Sequence, residues 1–485
     1  MSEMSERPNF IFITTDQQRF DTIRAHGAQH MRTPHLDDMA RRGISFMAAE
    51  STCPMCVPAR TSILSGRSAL SDGQTWMDMA SPLTVEPDRT LPALLGQAGY
   101  HTQAIGKMHF WPLRARYGFD HMRLPHDYMR ARRRWQAGPE SLRHGLGQNE
   151  IYPALASVDQ NETITAWTVD ETIDFLETRD ETAPFFCWTS FTKPHPPFDP
   201  PEPYYSMYRD VAIPEPVQGD WVAEHPLKTG HIYDERTHPR DAYTADLIAA
   251  SRRAYYGLIS EIDFQLGRLF ARINELGLRK NTWVIFTSDH GELLGDHGAF
   301  GKGVGNSQSC RVPCIIEPAW FTPDHWRGLS CHTPVMLEDV MPTILNLAGL
   351  PVPDAVEGQD LLAIADQKFP ERMVDGCWGR GDLADQHWIT DGRYRYIYTT
   401  HGGHEHFFDE AEDPLDTRNL AEVSIQQSNI ARLRDELHRR RLAARHPVAN
   451  ETGLNQQASH GPLRGEERSD NLGLHTWQFN KDVLH

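Results

Sequence analysis

Four apolar runs rich in β-branched and aromatic residues stop abruptly at ionisable side chains, and this pattern constrains the fold more than any other feature of the chain. Asn9 to Thr15 ends at Asp16, and Tyr100 to Ile105 runs into Gly106-Lys107-Met108-His109. Pro184 to Phe191 runs into Lys193-Pro194-His195, and Trp283 to Ser288 ends at Asp289-His290. Helical periodicity lies between them: Pro34 to Arg42 before Gly43, Val57 to Ser65 before Gly66, Tyr243 to Leu276 before Gly277, and Pro334 to Ala348 before Gly349. Strand and helix alternate, which predicts an α/β fold with a large, mostly parallel central sheet flanked by helices. Ligands in such sheets collect at the carboxyl ends of the strands, so the four polar ends are expected to share one rim.

The segments Trp111 to Asn161 and Pro194 to Asp241 are rich in Pro, His, Arg and Tyr without a clear period and read as long loops framing a pocket. Beyond about residue 370 the pattern changes. An alternating strand, Tyr394 to Tyr398, is followed by a turn at His401-Gly402-Gly403-His404, a second strand around Phe407-Phe408, and a helix from about Ser424 to Leu442. The expected division is a catalytic α/β domain at 1–370, a smaller C-terminal α+β subdomain with an antiparallel sheet at 371–445, and an arm at 446–485. A polar arm of that kind points to a homo-oligomer.

Charge narrows the partners. With 48 Lys and Arg against 66 Asp and Glu in 485 residues, the net charge is −18, which opposes a nucleic-acid backbone or an anionic membrane as the main partner. An anionic substrate would need a positive field made by the site itself. No apolar stretch approaches the roughly 20 residues of a membrane span, so a cytoplasmic address is expected. The seven cysteines are odd in number and scattered, which argues for free thiols over a disulfide framework. The basic clusters Arg130 to Arg134 and Arg439 to Arg441 read as solvated faces, and His401 to His406 as a turn.

The sharpest local signal runs from Cys56 to Arg67, Cys-Val-Pro-Ala-Arg-Thr-Ser-Ile-Leu-Ser-Gly-Arg. Pro58 suits the first turn of a helix and puts Cys56 at its N-terminus, where the dipole and Arg60 stabilise negative charge. Cys53-Pro54-Met55-Cys56 could instead be a redox pair, or half a zinc site completed by Cys310 and Cys314. The twelve residues resemble the sulfatase signature Cys-x-Pro-Ser-Arg followed by x-x-x-Leu-Thr-Gly-Arg, with Ala59 and Ser65 as the departures. The resemblance, to the formylglycine-dependent sulfatases of the alkaline phosphatase superfamily, extends from Pro8 to about Leu420. It includes Glu412-Asp413-Pro414 and Thr417-Arg418-Asn419-Leu420. It implies that Cys56 is oxidised to formylglycine by a formylglycine-generating enzyme and then acts as the nucleophile.

Asp16, Asp289 and His290 bring two carboxylates and an imidazole to two strand ends. Hard oxygens suit Ca²⁺, Mg²⁺ or Mn²⁺, and the imidazole tilts the choice towards Mn²⁺. Sulfatases hold one divalent ion, Ca²⁺ or Mn²⁺ here, at these positions together with the formylglycine oxygen, so the implied ligands are Asp16, Cys56, Asp289 and His290. Gln17 stands where a second Asp is usual, and His290 where Asn or Asp is usual. Both departures are similar to the choline sulfatase and phosphonate monoester hydrolase branch.

Lys107, His109, His195 and Lys302 form a cationic set suited to a sulfuryl group that spreads charge over its oxygens and its leaving alkoxide. All match the family pattern of a Lys-x-His pair, a His after another strand, and a downstream Lys. The resemblance implies that Lys107, Lys302, His195 and Gln17 bind substrate. It also implies that Arg60 supports the nucleophile, that His195 serves the leaving alcohol, and that His109 takes a proton as sulfate is expelled. Phosphonate monoester hydrolases carry Tyr-x-Thr where this chain has Lys107-Met108-His109, which favours sulfate over phosphonate; the expected substrate is a small-molecule sulfate monoester, aryl or small alkyl/choline-type. A phosphonate monoester or phosphodiester hydrolase with the same machinery, and a metal-binding pseudoenzyme with intact Cys56, are the alternatives.

Overall fold

The computed structural model of the chain describes residues 7–77, 82–131, 146, 149–225, 227, 243–322, 324–379 and 386–456. Its centre is an eight-stranded sheet. In chain order the strands are β1 (Asn9–Asp16), β2 (Ile44–Phe46), β3 (His101–Gly106), β4 (His121–Arg123), β5 (Phe185–Pro194), β6 (Thr282–Ser288), β7 (Cys314–Glu317) and β8 (Leu329–Cys331). Across the sheet they lie in the order β8-β2-β7-β6-β1-β5-β3-β4. Only β7 runs against its neighbours, pairing antiparallel with β6 and β2; the other pairs are parallel.

Alternation along β1 explains why its sequence is apolar throughout. Phe10 and Phe12 enter one core with Trp188, Ile285 and Ile316, while Ile11 and Ile13 enter another with Cys187, Phe286 and Ile315. Helices cover both faces. The first face takes α2 (Cys56–Ser65) and α3 (Leu91–Gln97), and the second takes α1 (Pro34–Arg42), α4 (Ile164–Thr178) and α5 (Ala245–Glu275). Thr163 and Thr244 cap α4 and α5 by accepting from the Ala166 and Leu247 N–H groups. In α5 the spacing of Ile259, Ile262, Leu266, Leu269 and Ile273 keeps one face buried.

The register brings the strand ends together. Asp16 lies beside Pro194, Thr15 beside Ser288, and Gly106 beside Ser190. Gly106 has φ 86°, and a Cβ there would lie 1.9 Å from the Ser190 carbonyl oxygen, so only glycine lets β3 end this close to β5.

Several expectations need correction. Pro334 to Ala348 is not one helix: Val335–Met336 pairs with Ala49–Glu50, a short 3-10 turn follows, and α6 begins at Val340 and ends at Leu347. The segment read as a loop from Trp111 holds β4 and a short helix, Pro125–Ala131. The C-terminal sheet has four strands, β9 (Val374–Trp378), β10 (Gln386–Thr390), β11 (Tyr394–Thr399) and β12 (His404–Asp409), antiparallel in that order.

The helix α7 (Gln427–Ala443) packs Ile430, Leu433 and Leu437 on Ile389, Tyr396 and Phe407. The opposite face of this small sheet, with Trp378, Trp388, Ile397 and Phe408, packs on Cys53, Val304 and Cys310. The arm contains a small hairpin, Ala449–Asn450 with Gly453–Leu454. Residues 457–485 of that segment, and Arg132 to Arg134 of the first basic cluster, lie outside the described residues. Among the described residues no helix is long and apolar enough to cross a membrane.

Candidate active site

Each strand end delivers the side chains its sequence announces. Asp16 closes β1, Asp289 and His290 follow β6, Lys107 and His109 follow β3, and His195 follows β5. Cys56 is the first residue of α2, and the helix ends at Gly66, whose left-handed φ of 67° returns its N–H to the Ser62 carbonyl. Asp16, Cys56, Asp289 and His290 are buried, and one potential ligand atom from each lies within 4.8 Å of the others. Cys56 Sγ is 3.2 Å from His290 Nε2 and 3.7 Å from Asp16 Oδ1. The other imidazole nitrogen, His290 Nδ1, lies 3.0 Å from the Gly291 carbonyl, which directs Nε2 at the carboxylates.

Arg60, one turn into α2, is also buried. Its Nε donates to Asp289 Oδ2 at 2.9 Å and one Nη to Ser190 Oγ at 2.7 Å. Ser190 in turn donates to the Lys107 carbonyl at 2.6 Å. The Lys107 ammonium pairs with Asp16 and lies 3.8 Å from Cys56 Sγ. Lys302 donates to Gln17 Oε1, Gln17 Nε2 donates to Glu292, and the Gln17 N–H donates to Asp289 Oδ1 at 3.1 Å. His195 is buried with Nδ1 2.8 Å from the Pro196 carbonyl, which leaves Nε2 for the pocket.

The charges act on one another strongly. Burial alone would raise the Asp16 carboxyl, but Lys107, His195, Lys302 and Arg60 hold it well below the usual range. Burial and Asp16 push the Cys56 thiol up, yet Lys107, Lys302 and His290 outweigh them and bring it well below an ordinary thiol. Burial and Asp16 raise Asp289. His195 is held well below an ordinary imidazole by burial and Lys302, and His109 is lowered by burial and Lys107. His290 is raised: burial opposes its charge, but Asp289 favours it.

The structure thus brings Asp16, Gln17, Cys56, Arg60, Lys107, His109, His195, Asp289, His290 and Lys302 to one rim. It does not bring Cys53, Cys310 or Cys314 to Cys56: all the cysteines are free, and the first two belong to the core beneath the small sheet while Cys314 belongs to the main core. The His-rich hairpin stacks elsewhere, with the His404 ring 3.8 Å from His225 and the His406 ring 4.8 Å from Trp221.

Sequence reasoning missed Ser190 and Glu292. Glu292 accepts from the Leu294 N–H at 2.9 Å and the Gly301 N–H at 2.5 Å as well as from Gln17, so it orients the amide that meets Lys302. Its place three residues after Asp289 was the available signal.

A mixed α/β sheet with a buried, cation-ringed carboxylate cluster at its rim has the architecture of the alkaline phosphatase-like hydrolases. A family model described as Sulfatase matches residues 8–350, and the chain belongs to the sulfatase family. It is 32% identical over 458 residues to an arylsulfatase of Clostridium perfringens, covering 88% of this chain and 93% of the relative. It is 28% identical to a choline-sulfatase of Rhizobium meliloti, covering 88% and 86%. Among solved structures it is similar to the phosphonate monoester hydrolase of Agrobacterium radiobacter, with a TM-score of 0.75, 25% identity, and coverage of 93% and 100%. The protein is a sulfatase enzyme.

Proposed function

We propose that the chain hydrolyses a small sulfate monoester, aryl or alkyl, to an alcohol and sulfate with consumption of one water, using a formylglycine derived from Cys56 and one divalent ion. The observation that carries this reading is the convergence of Cys56 Sγ, Asp16, Asp289 and His290 beneath Lys107 and Lys302. The donor set fits a divalent cation: Asp289 is raised by burial and, after that, by the neighbouring Asp16 carboxylate, and a cation between the two carboxylates relieves both costs. Carboxylate oxygens with one imidazole suit Ca²⁺ or Mn²⁺. When present, the ion would supply Lewis-acid charge beside the sulfuryl group, and the oxidised side chain at position 56 the attacking oxygen.

The chain's own residues do the rest. Lys107 and Lys302 hold the anionic sulfuryl oxygens, Gln17 orients Lys302, and Arg60 keeps Asp289 in place. The Lys302 ammonium supplies the proton to the departing alcohol oxygen, and His195, its Nδ1 directed at the Pro196 carbonyl, lies beside that oxygen. His109 takes the proton whose removal releases sulfate. The same reading includes the division at 1–370, 371–445 and 446–485, a homo-oligomer built through the arm, a cytoplasmic address, and maturation by a formylglycine-generating enzyme.

The test is mass spectrometry of the tryptic peptide Gly43 to Arg60 from protein coexpressed with that enzyme, paired with turnover of an aryl sulfate. Loss of sulfur and two hydrogens with gain of one oxygen is expected, together with activity that a chelator removes and Mn²⁺ or Ca²⁺ restores. Intact cysteine with undiminished hydrolysis would overturn the mechanism. Likeness to a phosphonate monoester hydrolase makes phosphonate monoesters the second reading, and the ratio of rates on an aryl sulfate and an aryl phenylphosphonate separates the two.

A further inference from the structure

The small antiparallel sheet meets the rim along one stretch of chain. Residues 303–307 follow Lys302 and run along the small sheet; the Gly303 and Val304 N–H groups turn back to Ser309 Oγ, while Gly305 and Ser307 bond to the C-terminal subdomain. The Gly305 N–H donates to Gln386 Oε1 at 2.8 Å, and the Gly305 carbonyl accepts from Arg395 Nη1 at 3.1 Å. Two residues on, the Ser307 N–H donates to Asp416 Oδ2 at 2.7 Å and the Ser307 hydroxyl to Glu410 at 2.9 Å. The approach is close: a Cβ on Gly303 would lie 3.0 Å from the Trp378 ring, and one on Gly305 3.0 Å from Ile397.

The two groups that grip Gly305 are themselves fixed. Arg395 is fully buried, donates from Nε to Glu410 at 2.9 Å, and pairs with Glu50, six residues before Cys56. Gln386 anchors its Nε2 on Thr399 Oγ1 at 3.1 Å, so its carbonyl end faces Gly305. Lys302, by contrast, has a long flexible stem and a single side-chain hydrogen-bond partner among the described residues, Gln17 Oε1. Where its ammonium sits therefore depends on where its backbone is held: Gly301 is fixed by Glu292 and the Leu293 N–H, Gly303 by Ser309, and Gly305, three residues beyond Lys302, by the small sheet.

We propose that Gln386 and Arg395 are positioning residues for Lys302, so that the C-terminal sheet sets the cation that faces the sulfuryl group. The proposal rests on the role given to Lys302 above. It is tested by double-mutant cycles on the full-length, matured protein with para-nitrophenyl sulfate. Gln386→Ala, a mild change at a half-buried site, is expected to lower kcat by roughly tenfold, and Arg395→Lys by up to roughly 100-fold. KM should stay within about twofold if the loss falls on transition-state stabilisation.

In a Lys302→Ala background neither change should lower kcat further, because the group they position is gone. A merely structural role would instead give losses that multiply in both backgrounds and follow the melting temperature. Such multiplication, or wild-type kcat in folded Gln386→Ala, overturns the proposal even if Arg395→Lys fails to fold. Wild-type kcat in Lys302→Ala alone would instead overturn the role of Lys302, a separate failure that removes the positioning assignment with it.

Discussion

Two clusters of buried charge in this molecule look alike in composition and behave differently. Around Arg395, the charges meet in pairs: Arg395 with Glu50 and Glu410, and Asp416 with the Ser307 N–H and hydroxyl. At the rim, Lys107, Lys302, Arg60 and His290 crowd Asp16 and Asp289 from several elements around the shared point occupied by Cys56. In the first cluster burial pushes Glu50 up to about 7 while Arg395 holds Glu410 down; at the rim several cations together drag Asp16 and Cys56 far down despite burial, and Asp289 is raised by burial and Asp16. Charge satisfied pair by pair holds elements together, while charge converging on a centre prepares a reaction.

Four changes break or sharpen this contrast. The largest effect is expected at the rim: Lys107→Ala or Lys302→Ala should lower kcat on an aryl sulfate by roughly 10²- to 10³-fold with little change in melting temperature, read by steady-state kinetics beside calorimetry. A collapse in stability of either variant would make the rim another clamp. His195→Ala should cost roughly 10²-fold, and the loss should shrink as the alcohol becomes a better leaving group, which a series of substituted aryl sulfates measures.

In the other cluster, Arg395→Met should lower the unfolding free energy by about 3 to 5 kcal/mol in chemical denaturation, because two carboxylates lose their buried partner. The smallest effect lies on α5, away from both clusters. Burial pushes Glu261 up to about 8 although Thr163 donates to it at 2.6 Å, so the folded state keeps a proton that an unfolded glutamate releases near 4.5. Stability from this group is full below about pH 4.5 and declines as the pH rises through about 8. The melting temperature of Glu261→Gln should therefore fall less over that window than that of the parent protein.

The rim was legible because contiguous apolar strands are easy to see and each ends in a chemically loud residue, as at Ser288-Asp289-His290. The start of α2 was legible for a similar reason, with Pro58 and Gly66 marking its ends. What escaped depended on contacts distant in sequence. Val335–Met336 leaves the helical pattern because it pairs with Ala49–Glu50, far upstream. β9 and β10 carry too much polar character, with Asp375, Gln386 and His387, to stand out before Arg441 is seen meeting Asp375 and His387. No periodicity could show that Glu292 turns back to Gln17.

The buried thiols divide into two kinds. Burial keeps Cys53, Cys187, Cys310, Cys314 and Cys331 above the ordinary thiol range, while the neighbouring cations bring Cys56 alone among these below it. On the proposed maturation, the thiol that conversion would consume is the one among these six whose surroundings favour its charged form. If Cys56 is converted as proposed, the stoichiometry of labelling by a small alkylating reagent that enters the pocket would count the unconverted molecules before any substrate is added.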